Sequence, residues 1–197
     1  RFAPYHYFLQ MLSAFEAKRW DRFIEAFENP VAKELPNPLT ERIFFLLGQA
    51  HREKGDLHQA RQILRNFLKK FKNSAHRADV LFHLAEIELQ LKNESEAVEL
   101  YEKLYADHPL VDSDDLAKQK LMESGRFAEI DTDAHLARID RLRRGARFRR
   151  AEAELKALRD RSQAKDAEKI NLAMARLYFA QKRYTAASQA AAKALKQ

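Results

Sequence analysis

One short segment carries residue types that can hold a metal. Asp79, His83 and Glu86 stand at i, i+4 and i+7, so a helix places them on one face. A divalent cation needs further ligands in a defined geometry, so the trio reads as the polar face of a groove and no metal is expected. Asp114 and Asp115 fall at a helix start, where carboxylates complement the dipole. A general acid needs an enclosing pocket to raise its pKa, and nothing in the sequence points to one. The chain has no cysteine, which removes disulfides, thiolate zinc sites and cysteine nucleophiles together. There is no glycine-rich phosphate loop, no HExxH and no nucleophile elbow. No catalytic residue and no cofactor are expected.

The other conspicuous chemistry is cationic. Seven arginines fall between Arg138 and Arg150. From Leu136 to Arg161, nine arginines and one lysine face four carboxylates, a local excess of +6 out of the chain's +7. Leu136, Ile139, Leu142 and Ala146 form one apolar stripe at helical spacing, and Ala151, Leu155 and Leu158 form another. The segment therefore reads as a helical hairpin with arginines on its remaining faces, most simply a solvated surface. The functional alternative is an anion-binding face for acidic protein, phosphate or wall polymer. Nucleic acid is the weaker reading, because Phe148 is the one aromatic residue there and no nucleic-acid motif is present.

These elements must be positioned by helices. The 197 residues include only four glycines and five prolines, against 46% hydrophobic and 33% charged residues. Such sparse punctuation argues for helix throughout. The longest apolar run, Ile43 to Leu47, is far too short to span a bilayer, and no secretory signal is visible. The chain begins at Arg1 without methionine, and AAAKALKQ ends without a stop signal, so a longer or processed parent is expected.

The sequence also repeats itself. KGDLHQA (54–60) and LKNESEA (91–97) end in alanines 37 residues apart, and the same step backwards reaches Phe23 in AKRWDRF. GARFRRA and QKRYTAA end at Ala151 and Ala187, 36 apart. Phe44, Leu47, Gly48 and His51 precede one turn at helical spacing, and Ala60, Leu64 and Phe67 follow it. Leu81, Leu84, Ala85 and Glu88 answer to Ala97, Tyr101 and Leu104, before Pro109 stops the helix. Period 3.6 on both sides of a short turn is an αα-hairpin, with small residues where the two helices cross.

This pattern resembles tetratricopeptide repeats. Phe44, Leu47, Gly48, Ala60 and Leu64 match that family's pattern, as do Leu81, Leu84, Ala85, Ala97, Tyr101 and Pro109, and again Met174, Ala175, Tyr178 and Ala187. His51 and Glu88 replace its helix A tyrosine, and Lys72 stands where proline would be. The resemblance implies an all-α, TPR-like right-handed α-solenoid of antiparallel hairpins, whose curvature makes a concave groove. Its expected organisation is three repeats over 1–112, an irregular linker helix and loop over 113–133, and two further repeats over 134–197, truncated at the C-terminus. Projecting the first helix of each repeat places Gln49, Arg52, Glu86, Asp140, Arg143, Arg144 and Arg176 toward the groove as candidate partner-binding residues.

A second resemblance covers SGRFAEIDTDAHLARIDRLRRGARFRRAEAELKAL and INLAMARLYFAQKRYTAAS. It is similar to the helical region preceding the catalytic domain of bacterial soluble lytic transglycosylases. That family's catalytic glutamate is followed by serine and then by a Gly-Leu-Met-Gln run. Glu94-Ser95 and Glu123-Ser124 are the Glu-Ser pairs here, and neither is followed by such a run. The resemblance implies a non-catalytic scaffold of a periplasmic wall enzyme, with peptidoglycan or a protein as partner. The alternative is a stand-alone protein-interaction adaptor of the bacterial cell envelope.

Overall fold

In a computed structural model the structure describes residues 3–195. Eleven α-helices, and no strands, are found among them. The chain forms two compact units, Arg1–Tyr101 and Glu102–Gln197. The first holds α1 (Ala3–Glu16), α2 (Trp20–Glu28), α3 (Asn37–Glu53), α4 (Leu57–Lys70) and α5 (Arg77–Gln90). The boundary falls within α6 (Glu94–Asp107). The second holds α7 (Ser113–Glu123), α8 (Thr132–Arg144), α9 (Phe148–Arg161), α10 (Ala167–Ala180) and α11 (Tyr184–Ala194). Lys196 and Gln197, where a continuing helix was expected, lie outside the described residues.

The fold is all-α and TPR-like, as the periodicity implies. Its five hairpin turns are built alike. Lys18, Gly55, Lys92, Ala146 and Lys182 all have positive φ, between 55° and 84°. Each stands five residues before Phe23, Ala60, Ala97, Ala151 or Ala187, the residue that opens the buried stripe of the second helix. The residue after each left-handed position donates its N–H five residues back, as Asp56 does to His51 and Arg147 to Leu142, both at 2.9 Å. These bonds satisfy carbonyls that the end of the first helix would otherwise leave orphaned. Only Gly55 adopts this conformation without a Cβ penalty.

Small residues sit where the helices cross. A Cβ on Gly48 would lie 2.3 Å from Leu64 Cδ2, so α3 and α4 approach closely only because that position is bare. Ala60, Ala97 and Ala151 have no exposure. Above them pack Leu64 and Phe67 in one hairpin and Leu155 and Leu158 in another. In the first unit Val80, Leu84 and Ile87 of α5 close over Ala60, Leu64 and Phe67 of α4. In the second, Ile170, Met174 and Leu177 of α10 close over Ala151, Leu155 and Leu158 of α9. In each unit one hairpin thus buries its apolar stripe under the helix that follows it, the packing logic of a repeat stack.

Ala146 departs from its expected place. It does not extend the stripe of Leu136, Ile139 and Leu142, because α8 ends at Arg144 and Ala146 is the exposed left-handed residue of the turn. The restart after the inserted segment is capped by Asp131, whose Oδ1 accepts the Ala134 N–H at 2.6 Å.

Candidate functional site

The arginine run divides between core and surface. Arg138 is fully buried, as is Asp114. The Arg138 Nη1 and Nη2 donate to the two carboxylate oxygens of Asp114 at 2.6 and 2.7 Å, and its Nε donates to Glu154 at 2.9 Å. Nη1 also donates to the Tyr105 carbonyl, and the guanidinium lies 3.8 Å from the Tyr105 ring centroid. Burial pulls its pKa down, but hydrogen bonds to Asp114 and Glu154 outweigh it and hold the group charged. Arg150 adds a second cation to Asp114, Asp115 and Glu154. Arg141 pairs with Asp107 at 2.8 Å, and Arg143 and Arg144 both pair with Asp140. About half of the apparent excess of +6 is thus answered by Asp107 of α6 and by Asp114 and Asp115 of α7, which lie outside the counted window. A free polycationic face is not what these arginines form.

The same register explains why Arg138 is inside. Counting thirteen residues back from Ala60, Ala97, Ala151 and Ala187 gives Leu47, Leu84, Arg138 and Met174. Arg138 therefore stands in the core position that leucine or methionine fills elsewhere, and the inserted helix α7 brings the carboxylate that makes a charge tolerable there. Around it Phe127 packs against Tyr105 and His135 at 5.5 and 5.4 Å. Arg161 donates to His135 Nε2, so the ring proton sits on Nδ1 and faces the Tyr105 hydroxyl at 3.2 Å. Burial, then Arg161, lowers the His135 pKa to about 4.

In the first unit, Gln49 and Arg52 of α3 meet on His83 of α5. Arg52 Nη1 donates to Nδ1 at 2.7 Å, and the Gln49 amide lies 2.9 Å from Nε2. Arginine can only donate, so Nδ1 accepts, Nε2 carries the proton, and the Gln49 amide oxygen belongs on that side. Burial, then Arg52, depresses the His83 pKa. Glu86, one turn on, accepts from the Tyr101 hydroxyl. His83 and Glu86 are thereby engaged by neighbours while Asp79 is exposed, and among the described residues no group of three or more His, Cys, Asp or Glu could hold a metal ion. Glu88, at the tyrosine position of the repeat, is buried and takes Arg65 at 2.7 Å and Asn93 at 2.8 Å.

In the second unit, Asp140, Arg143 and Arg176 line one cleft of about 220 Å³ between α8 and α10. Asp133, Leu136, Lys169 and Leu172 complete its walls, and Lys169 bridges the helices to Asp133 at 2.8 Å. Arg144 pairs with Asp140 at 2.6 Å but lies outside the lining. Arg143 and Arg176 also border a second, apolar groove of about 530 Å³, lined by Ala175, Phe179, Tyr184, Ala187, Ser188 and Ala191. Asp133, Lys169 and Leu172 were not singled out from the sequence, and His83 and Leu136 were singled out only as members of a polar trio and an apolar stripe. The signal was present, since Asp133 and Leu136 lie seven and four residues before Asp140, as Lys169 and Leu172 do before Arg176.

Residues 45–111 match the family model described as tetratricopeptide repeat. That stretch is about a third of the chain, and the repeated turn geometry extends the same hairpin architecture to α11. No curated protein matches the sequence. Among solved structures, MamA MSR-1 overlays with a TM-score of 0.42 at 18% identity, covering 100% of this chain and 97% of its own. MamA AMB-1 gives 0.43 at 19% identity, covering 98% and 91%. Overlays this loose assign neither partner nor assembly.

Proposed function

We propose that this chain is a protein-interaction scaffold, holding a partner polypeptide on the first-helix faces of its repeats. The observation that carries the reading is the α8–α10 cleft, where exposed Leu172 and half-buried Leu136 lie among Asp133, Asp140, Arg143 and Arg176. An apolar floor with a few convergent charges suits a peptide better than a substrate undergoing reaction. The TPR-type match over 45–111 supports the same class of function. No helix among the described residues is long and apolar enough to cross a membrane.

The finer reading is an adaptor of the bacterial cell envelope. The resemblance to the superhelix of lytic transglycosylases has no support in the matches above, and the wall polymer ranks behind protein as a partner. The test is affinity capture on immobilised chain, with purified wall sacculi in a parallel arm. Arg143→Ala/Arg176→Ala is expected to lose a specific protein partner while keeping its far-UV circular dichroism. Retention on sacculi without any protein partner would reverse the order of the two readings.

A further inference from the structure

The apolar stripe of the last hairpin lacks the large side chains that the others carry. Ala60 is followed by Leu64 and Phe67, Ala97 by Tyr101 and Leu104, and Ala151 by Leu155 and Leu158. Ala187 is followed by Ala191 and Ala194. Where inner hairpins offer a filled platform, α10 and α11 leave the open groove of about 530 Å³. Its walls are aromatic and uncovered, with Phe179 66% and Tyr184 59% exposed, their rings 5.6 Å apart. Tyr184 stands at the register position of Leu57 and Phe148, both of which pack against a core. A core-type surface is present and its cover is not supplied by the described residues.

Charge specifies what kind of cover fits. From Lys169 to the end of the sequence there is no aspartate or glutamate, and although Asp133 and Glu152 answer Lys169 and Arg183, the exposed Arg176, Lys182 and Lys193 have no ion pair among the described residues. Of these Arg176 lines the groove, whereas Arg143 beside it is held by Asp140. The packing of a helix here has a precedent within the unit, where α10 closes over α9 with Ile170, Met174 and Leu177.

We propose that the α10–α11 groove receives an acidic amphipathic helix of a partner protein. The helix brings the large apolar side chains that Ala187 and Ala191 leave room for, and its flanking carboxylates meet Arg176. Phe179 and Tyr184 grip it from the side. The proposal rests on the protein-interaction reading and adds a partner chemistry and a second surface to it.

The test is selection of displayed peptides of about 16 residues, long enough to turn helical on binding, on the full chain. Binders are then measured by fluorescence anisotropy against Arg176→Glu, Phe179→Ala and Ser188→Trp, all exposed positions, with circular dichroism as the folding check. The expected winners space large apolar residues by three and four and carry Asp or Glu beside them. They should weaken roughly tenfold or more with each variant, and with their own acids changed to lysine. Winners indifferent to Arg176→Glu and Ser188→Trp but lost on Arg52→Ala would overturn this proposal and leave the interaction reading standing. No saturable winner would overturn both. Self-association of the chain abolished by Ser188→Trp would make the occupant a second copy and overturn the foreign helix.

Discussion

Arg138→Leu is the most informative single change to this molecule. Leucine is the residue that register positions 47 and 84 already hold, so the substitution fits the backbone and volume of the repeat. What it removes is the bidentate partner of Asp114, a carboxylate with no exposure. Taking one partner from a buried ion pair costs about 3–5 kcal/mol, because the other charge stays desolvated. Arg150 still reaches Asp114 and Glu154, which places the expected loss near the lower end, about 3 kcal/mol. For a chain of this length that is roughly 6–12 °C in Tm. Urea unfolding followed by circular dichroism measures it, and hydrogen exchange in α7 shows whether the inserted helix loosens first. The triple change Arg138→Leu, Asp114→Leu and Glu154→Leu removes the buried pair and Glu154 together, leaves the partly exposed Arg150 to Asp115, and is expected to return to within about 1 kcal/mol of the parent, or exceed it. An Arg138→Leu protein with an unchanged urea midpoint, or a triple variant as weak as the summed singles, would refute the view that this cluster is held as charge.

His135 supplies a pH dependence. Its folded pKa of about 4 lies below the ordinary histidine value, so the unfolded chain binds the extra proton between the two. Stability should therefore rise with pH through that window and fall as pH drops from about 6.5 toward 4. Arg161, Arg138, Glu154, Asp131 and Tyr105 face the ring, and His135→Gln should flatten the slope of Tm between those values. Ala146→Gly runs against the usual rule for alanine, since the residue sits at φ 56° and is exposed. It should stabilise by about 0.5–1 kcal/mol in urea titrations, whereas a loss would mean the turn is not left-handed. Gly48→Ala should destabilise by about 1–3 kcal/mol through overpacking on Leu64, read from the same titrations. Retention on immobilised heparin should be weak and governed by exposed Arg147 and Arg149, which have no ion pair among the described residues. Strong retention that survives Arg147→Glu/Arg149→Glu would restore the polyanion-binding alternative.

The hairpins were legible because their signal is periodic. Apolar residues at three and four, a polar turn, and an alanine at a fixed offset leave little else that the chain between 37 and 107 could form. The two buried networks were hidden for a physical reason. Charge counted along a window assigns each arginine to its sequence neighbours, whereas Arg138 and Arg141 find Asp114 and Asp107 more than twenty residues away. Periodicity at that point gave the correct warning, since the repeat register puts position 138 inside while residue type puts it outside. Ala146 shows the opposite failure, a residue type that suits a core falling where the backbone needs a turn. The first-helix residues were half legible. Helical projection found Asp140 and Arg176, but the cleft between them depends on how α8 and α10 pack, which the sequence carries only through the spacing of Leu136 and Leu172.

The inserted helix and the buried arginine make sense together. A regular stack continues by matching one apolar stripe to the next, so any hairpin of the right shape can follow any other. Arg138 breaks that indifference. An apolar helix laid over it would strand a buried cation at a cost of several kcal/mol. Asp114 of α7 meets it with two hydrogen bonds, while Glu154 and Arg150 of α9 complete the set. The charge therefore selects one neighbour, α7, and fixes where the irregular segment docks. At the other end of the same unit the logic is reversed. The alanines of α11 and the bare aromatic walls beside them leave the stripe undemanding in shape but cationic in surroundings. Specificity inside the unit comes from a buried pair that rejects the wrong helix, and recognition at its open face comes from a groove that admits an acidic one.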